Sequence, residues 1–259
     1  MNMSVTNKGG DQAVIIEPTE IAGVWKLLFN HPPVNAMSMS MYRAVISAID
    51  ELEARDEITC VLIGSLIDGG FCAGADRNEL ASLTNAEFSL ENWEEREKLS
   101  QEFFRRLENF AVPTIAVVDG YAIGAGFVIA SVCDLRFASD RTWFSIPELK
   151  NVSRLGGAAH AIRVLPQAIA RAMYFQGSRL DAASAKLYGM LNGVVSVEEL
   201  WSVALDAAKQ ISSQQPHALR LAKRALNLGQ DEPIVKSELL ERQYSFRLAA
   251  AEKARGTSK

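Results

Sequence analysis

The chain is 259 residues long, with 48% hydrophobic and 22% charged side chains, the balance of a globular core rather than of a disordered or low-complexity segment. A formal net charge of -4 gives no general attraction to phosphate backbones or anionic membrane surfaces, so neither nucleic acid nor a membrane is the expected partner. Three scattered cysteines, Cys60, Cys72 and Cys133, exclude a disulfide framework and a cysteine metal site; with no apolar stretch in the opening residues and no apolar run of about 18, we expect a cytoplasmic protein.

After a polar lead, IAGVWKLLF (Ile21–Phe29) reads as a strand, closed by NHPPVNAMS, whose paired prolines cannot continue a ladder. MSMYRAVISAIDELEARDE is helical, with Tyr42, Val45, Ile46, Ile49 and Leu52 near one face. TCVLIGS is a short apolar strand of the kind buried on both faces. The alternation repeats with a glycine-bearing loop, DGGFCAGAD, an amphipathic segment over Asn85–Phe110 and the strand PTIAVVDG. Within that segment Leu99, Phe103, Leu107 and Phe110 recur at helical spacing, which assigns them to the core. VDGYAIGAGFVIASV follows, with CDLRFAS and TWFSIPEL as strands beyond it. From about Ala158 the chain reads as almost all helix, with SRLDAASAKLYGMLNGVV and SSQQPHALRLAKRALNLG as cap, helix and turn.

Gly120, Gly124 and Gly126 fall within seven residues just where an apolar, helix-like run begins, and each costs a helix roughly 1 kcal/mol relative to alanine. They need a geometric reason, such as the close approach of a ligand to bare backbone. FCAGAD and GYAIGAGF share the order strand, tight loop, helix start, delivering the backbone at Ala75 and at Ala125. A helix start carries unpaired N–H groups and the positive end of the macrodipole, so two such donors converging on one oxygen make an oxyanion hole. Taken singly, each motif reads as no more than a tight turn. GYAIGAGF is not GxGxxG, and the GK[ST] of a Walker loop is absent.

In order and spacing, HPPVNAMS, FCAGAD, VDGYAIGAG with CDLRFAS, FSIPEL and AKRALN resemble the enoyl-CoA hydratase/isomerase (crotonase) superfamily over nearly the whole chain. The resemblance implies an α/β fold, a spiral of ββα turns over residues 1–195 that binds acyl-CoA, followed by a helical region, 196–259, that builds a trimer or a dimer of trimers. It implies that the N–H groups of Ala75 and Ala125 hold the thioester oxygen, and that Val34, Ala36, Ala73, Asp76 and Gly124 border the coenzyme A. Coenzyme A arrives as part of the substrate, and no separate cofactor is expected. Lys253 or Arg255 is expected to meet a CoA phosphate. Asp76 by itself reads as a helix-start residue favoured by the dipole, and Asp134 as a locally hydrogen-bonded structural residue.

Hydratases of this family use two glutamates, one three residues past the second oxyanion donor and one twenty residues later. Here those positions hold Val128 and Glu148. Glu148 follows Pro147 in the apolar setting WFSIPEL, where desolvation raises a carboxyl towards the range a proton shuttle needs. One carboxylate resembles the isomerases, so double-bond isomerisation is the leading expectation, followed by hydration with a relocated second acid and by acyl-CoA hydrolysis or decarboxylation. RNA binding, known from a lysine-rich first helix in some members, lacks its charge here: the matching helix has only Arg43 and Arg55 against several acids. The family's PGxGG is replaced by LKNVSRLGGAAH, whose Lys150, Arg154 and His160 we expect at the surface; an inward Arg154 would imply an acyl group with a carboxylate or hydroxyl.

Overall fold

The computed structural model describes residues 12–84, 89–151 and 156–254. Its described strands form two sheets. The larger has the order β1 (Val14–Pro18), β2 (Val24–Phe29), β3 (Cys60–Ser65), β5 (Thr114–Val118), β7 (Leu135–Ser139), β10 (Gly193–Val195). The smaller runs β4 (Gly70–Cys72), β6 (Tyr121–Ile123), β8 (Trp143–Ser145), β9 (Arg179–Asp181). Apart from the antiparallel β1–β2 and β8–β9 pairs, neighbouring strands are parallel. Three times in succession a strand of the larger sheet leads into one of the smaller and then into a helix: β3 and β4 into α2 (Arg77–Thr84), β5 and β6 into α4 (Ala125–Val132), β7 and β8 into α5 (Glu148–Asn151). This is the spiral of ββα turns.

The continuous apolar character of β3 and β5 follows from their having a layer on each side. Alternate side chains of a strand point to opposite faces. Val61, Ile63 and Ala116 therefore join the cluster with Tyr42, Val45 and Ile49 of α1 (Met39–Glu53) and with Phe103 and Leu107 of α3 (Leu90–Glu108). Cys60, Leu62, Ile115 and Val117 face the other way, against Leu200, Ala204 and Ala208 of α9 (Val197–Ser212). Helix α9 follows the 195/196 division drawn from the sequence, yet it covers the sheet and shares its core.

Three strands lie where the sequence suggested none. β1 is an edge strand inside the polar lead, and β9 and β10 flank α8 (Ala182–Leu187) in the region read as helix; Asp181, the last residue of β9, caps α8 by accepting the Ser184 N–H at 2.7 Å. Helix α10 (Pro216–Gly229) is fastened to the sheet by Lys223, whose Nζ, almost fully buried, donates to Val112 O at 3.1 Å and Asp134 Oδ2 at 2.8 Å. Asp134 Oδ2 also accepts from the N–H and hydroxyl of Thr114, at 2.7 and 3.0 Å, which bears out its structural reading. Among the described residues no helix is long and apolar enough to cross a membrane.

Candidate active site

The first glycine loop is held from outside by residues 31–37. Ala73 N–H donates to Val34 O (3.0 Å), Met37 N–H to Gly74 O (2.7 Å) and Asp76 N–H to Met37 O (3.2 Å). Gly74 C=O and Asp76 N–H thus turn towards Met37, and the alternation of an extended chain turns the Ala75 N–H between them the opposite way. Buried Asn35 keeps this brace in place, donating from Nδ2 to Ser65 Oγ (2.7 Å) and Phe71 O (3.0 Å) while Oδ1 accepts the His31 N–H (2.8 Å). Asp76 Oδ1 accepts the N–H groups of Asn78 and Glu79, at 2.9 and 3.0 Å, and so starts α2 as a capping residue. Cys72, at the base of the loop, is fully buried, and burial pushes its thiol up to about 12, far from a nucleophile's range.

The second loop supplies the matching donor. Gly124, at φ 51° and ψ -110°, turns the chain from β6 into α4, so that Ala125 is the first helical residue and its N–H has no acceptor within the helix. A Cβ on Gly126 would lie 2.4 Å from Cys72 O, and one on Gly74 would lie 2.8 Å from Ile123 O and 3.6 Å from Ala125 N. The two loops are therefore packed backbone on backbone. A Cβ on Gly120 would approach Gly69 O to 1.8 Å. This corrects the expectation that the glycines serve ligand approach alone: Gly120 and Gly126 first let one loop lie against the other, which is what brings Ala75 and Ala125 together.

Both alanines line a cavity of about 680 Å³, together with Ala73, Gly74, Gly124 and Glu148. Glu148 is the half-buried first residue of α5, and a Cβ on Gly124 would stand 2.7 Å from its Oε1. The carboxylate is thus beside the residue that precedes the Ala125 donor. Val128, three residues past Ala125, lines the same cavity with 3% exposure. Val34, Ala36 and Asp76 are not among the lining residues and belong to the brace and the cap. Lys253 is exposed near the end of α11 (Ile234–Ala254) and is not among them either. Arg154 and Arg255 lie outside the described residues.

Lys150 is exposed at the cavity edge, as expected, but His160 is not a surface residue. Its half-buried ring lines the cavity, 6.0 Å from the Phe104 ring between centroids, and burial holds it below its ordinary pKa, with Arg163 acting in the same direction and Glu108 against it. The chain turns it inward through Gly157, at φ 75°, which starts α6 (Ala158–Val164). Helix α3 adds Glu97, Ser100, Gln101 and Phe104 to the lining, a group the sequence reading passed over. The signal was available: these positions share one helical face at spacings of three, four and seven, beside the apolar stripe.

The chain matches the family model for enoyl-CoA hydratase/isomerase over residues 19–256. It is similar to a probable mitochondrial enoyl-CoA hydratase 2 of Arabidopsis thaliana, 29% identical over 75% of this chain, and spans 64% of that relative's length. A probable enoyl-CoA hydratase of Mycobacterium bovis is 30% identical over 93% of this chain and 91% of its own. Among solved structures, Pseudomonas aeruginosa DspI has the same fold, with a TM-score of 0.86 over 96% of this chain and all of that one, at 24% identity.

Proposed function

This chain belongs to the enoyl-CoA hydratase/isomerase family, and within it we propose that the protein moves a carbon–carbon double bond along an acyl-CoA thioester, with Glu148 as the proton carrier. The thioester oxygen accepts the N–H groups of Ala75 and Ala125, which polarise the carbonyl; one such donor contributes roughly 2.7–4 kcal/mol of transition-state stabilisation. The Glu148 carboxylate takes a proton from Cα of a 3-enoyl-CoA, and the C–H electron pair enters a conjugated dienolate whose charge rests on the thioester oxygen. The same carboxyl then returns the proton to Cγ, leaving the 2-enoyl-CoA with no change in composition.

The observation that supports this reading is the placement of Glu148 Oε1 beside Gly124, while Val128 gives the neighbouring wall no titratable group. Hydration is the second reading, favoured by Glu97, a further carboxylate lining the same cavity, and by the hydratase names of the relatives. Incubation with 2-enoyl-, 3-enoyl- and malonyl-type CoA thioesters, with products identified by mass, separates them. We expect the 3-enoyl ester to become the 2-enoyl ester with little 3-hydroxyacyl product; robust addition of water to the 2-enoyl ester would establish the second reading instead.

A further inference from the structure

Building on the reading that a thioester sits with its oxygen at Ala75 and Ala125, we propose that His160 selects an acyl chain bearing an acceptor oxygen (hydroxyl, carbonyl or carboxylate) by donating its Nε2–H to that atom. The position of the ring follows from its helix. A Cβ on Gly157 would stand 3.4 Å from Val128 Cγ2, and His160, three residues on, lies over the same face of α6. Val128 is itself three residues past the Ala125 donor, so this wall flanks the acyl carbons beyond the thioester.

The tautomer follows from burial. Nδ1 of His160 is sealed from solvent and has no hydrogen-bond partner among the described residues. A proton there would be a buried, unpaired N–H, and an imidazolium would require that same unpaired N–H. We therefore assign the ring as neutral with its one proton on Nε2, in a side chain that lines the cavity. Arg163, the neighbouring cation, is engaged by Glu108 at 3.0 Å and by Asp231, and does not compete for the same oxygen. Glu97, Ser100 and Gln101 line the same cavity from α3. A plain alkyl chain would strip water from the exposed Gln101 amide without replacing its hydrogen bonds, whereas a chain carrying oxygen replaces them.

Saturated esters test this without chemistry at Glu148. Calorimetric binding of hexanoyl-CoA is compared with that of 6-hydroxyhexanoyl-CoA, 5-oxohexanoyl-CoA and adipoyl-CoA. We expect at least one oxygenated ester to bind about tenfold or more tightly than hexanoyl-CoA, and the identity of that ester names the oxygen. In His160→Leu that ratio should fall to about threefold or less, and His160→Asn, which keeps an N–H donor, should restore part of it. Hexanoyl-CoA binding by the variants reports that they are folded. Equal or tighter binding of hexanoyl-CoA by the native protein, or a ratio unchanged in His160→Leu, overturns the proposal while leaving the thioester site intact. Failure of every CoA ester to bind overturns that site and the proposal with it.

Discussion

In the proposed reaction Ala125 acts through its backbone, so its side chain and its N–H are separable by substitution. Ala125→Gly keeps the donor and should retain most of the turnover, whereas Ala125→Pro removes the N–H at the first helical position, where proline is otherwise well tolerated. We expect the proline variant to stay folded by circular dichroism and to lose roughly 10²–10³-fold in kcat. A folded Ala125→Pro protein with full activity would show that the thioester oxygen is held elsewhere. The two loops that carry Ala75 and Ala125 were legible in the sequence because glycine loops at helix starts have a local signature. His160 was not, because its direction depends on Gly157 turning the chain and on Val128 and Phe104 forming the wall it meets, none of which is local to the residue.

At the level of elements, the site depends on two loops being pressed together and on helices that fix the strands behind them. Lys223 of α10 reaches the end of the turn before β5 and the residue before β7 at once. Lys223→Met keeps the aliphatic length but leaves Asp134 with only its Thr114 donors, and should cost about 1.5–3 kcal/mol in denaturant unfolding, the range for hydrogen bonds to charged groups. A loss below about 0.5 kcal/mol would mean that the other contacts of α10, including the hydrogen bonds of Arg220 and Asn227, hold it without Lys223. The strongly periodic elements, α1, β3 and β5, were readable because burial on one or two faces imposes a pattern on the sequence. The smaller sheet was readable only in part, since β4, β6, β8 and β9 have three residues each, too few for any alternation to show, and β9 ends in the cap of the next helix.

For the molecule as a whole, α11 packs along α10 and leaves Ile234, Val235, Leu239 and Phe246 exposed. We propose that these residues are covered in a trimer or a dimer of trimers. Light scattering at micromolar concentration should then give three or six times the 28.3 kDa chain mass, and a monomer would count against it. The central claim, that a carbonyl held at two backbone donors makes an acyl-CoA acidic enough for Glu148 to carry its proton, is tested most directly in deuterated water. A 3-enoyl-CoA is incubated with the native protein and with Glu148→Gln, and deuterium in the 2-enoyl product is measured by mass alongside the affinity for hexanoyl-CoA. The account predicts deuterium in the native product, entering when the Glu148 carboxyl exchanges its proton with solvent before protonating Cγ, turnover lower by roughly 10²–10⁴-fold in Glu148→Gln, and nearly equal affinity. Turnover and deuterium incorporation retained by Glu148→Gln would contradict it.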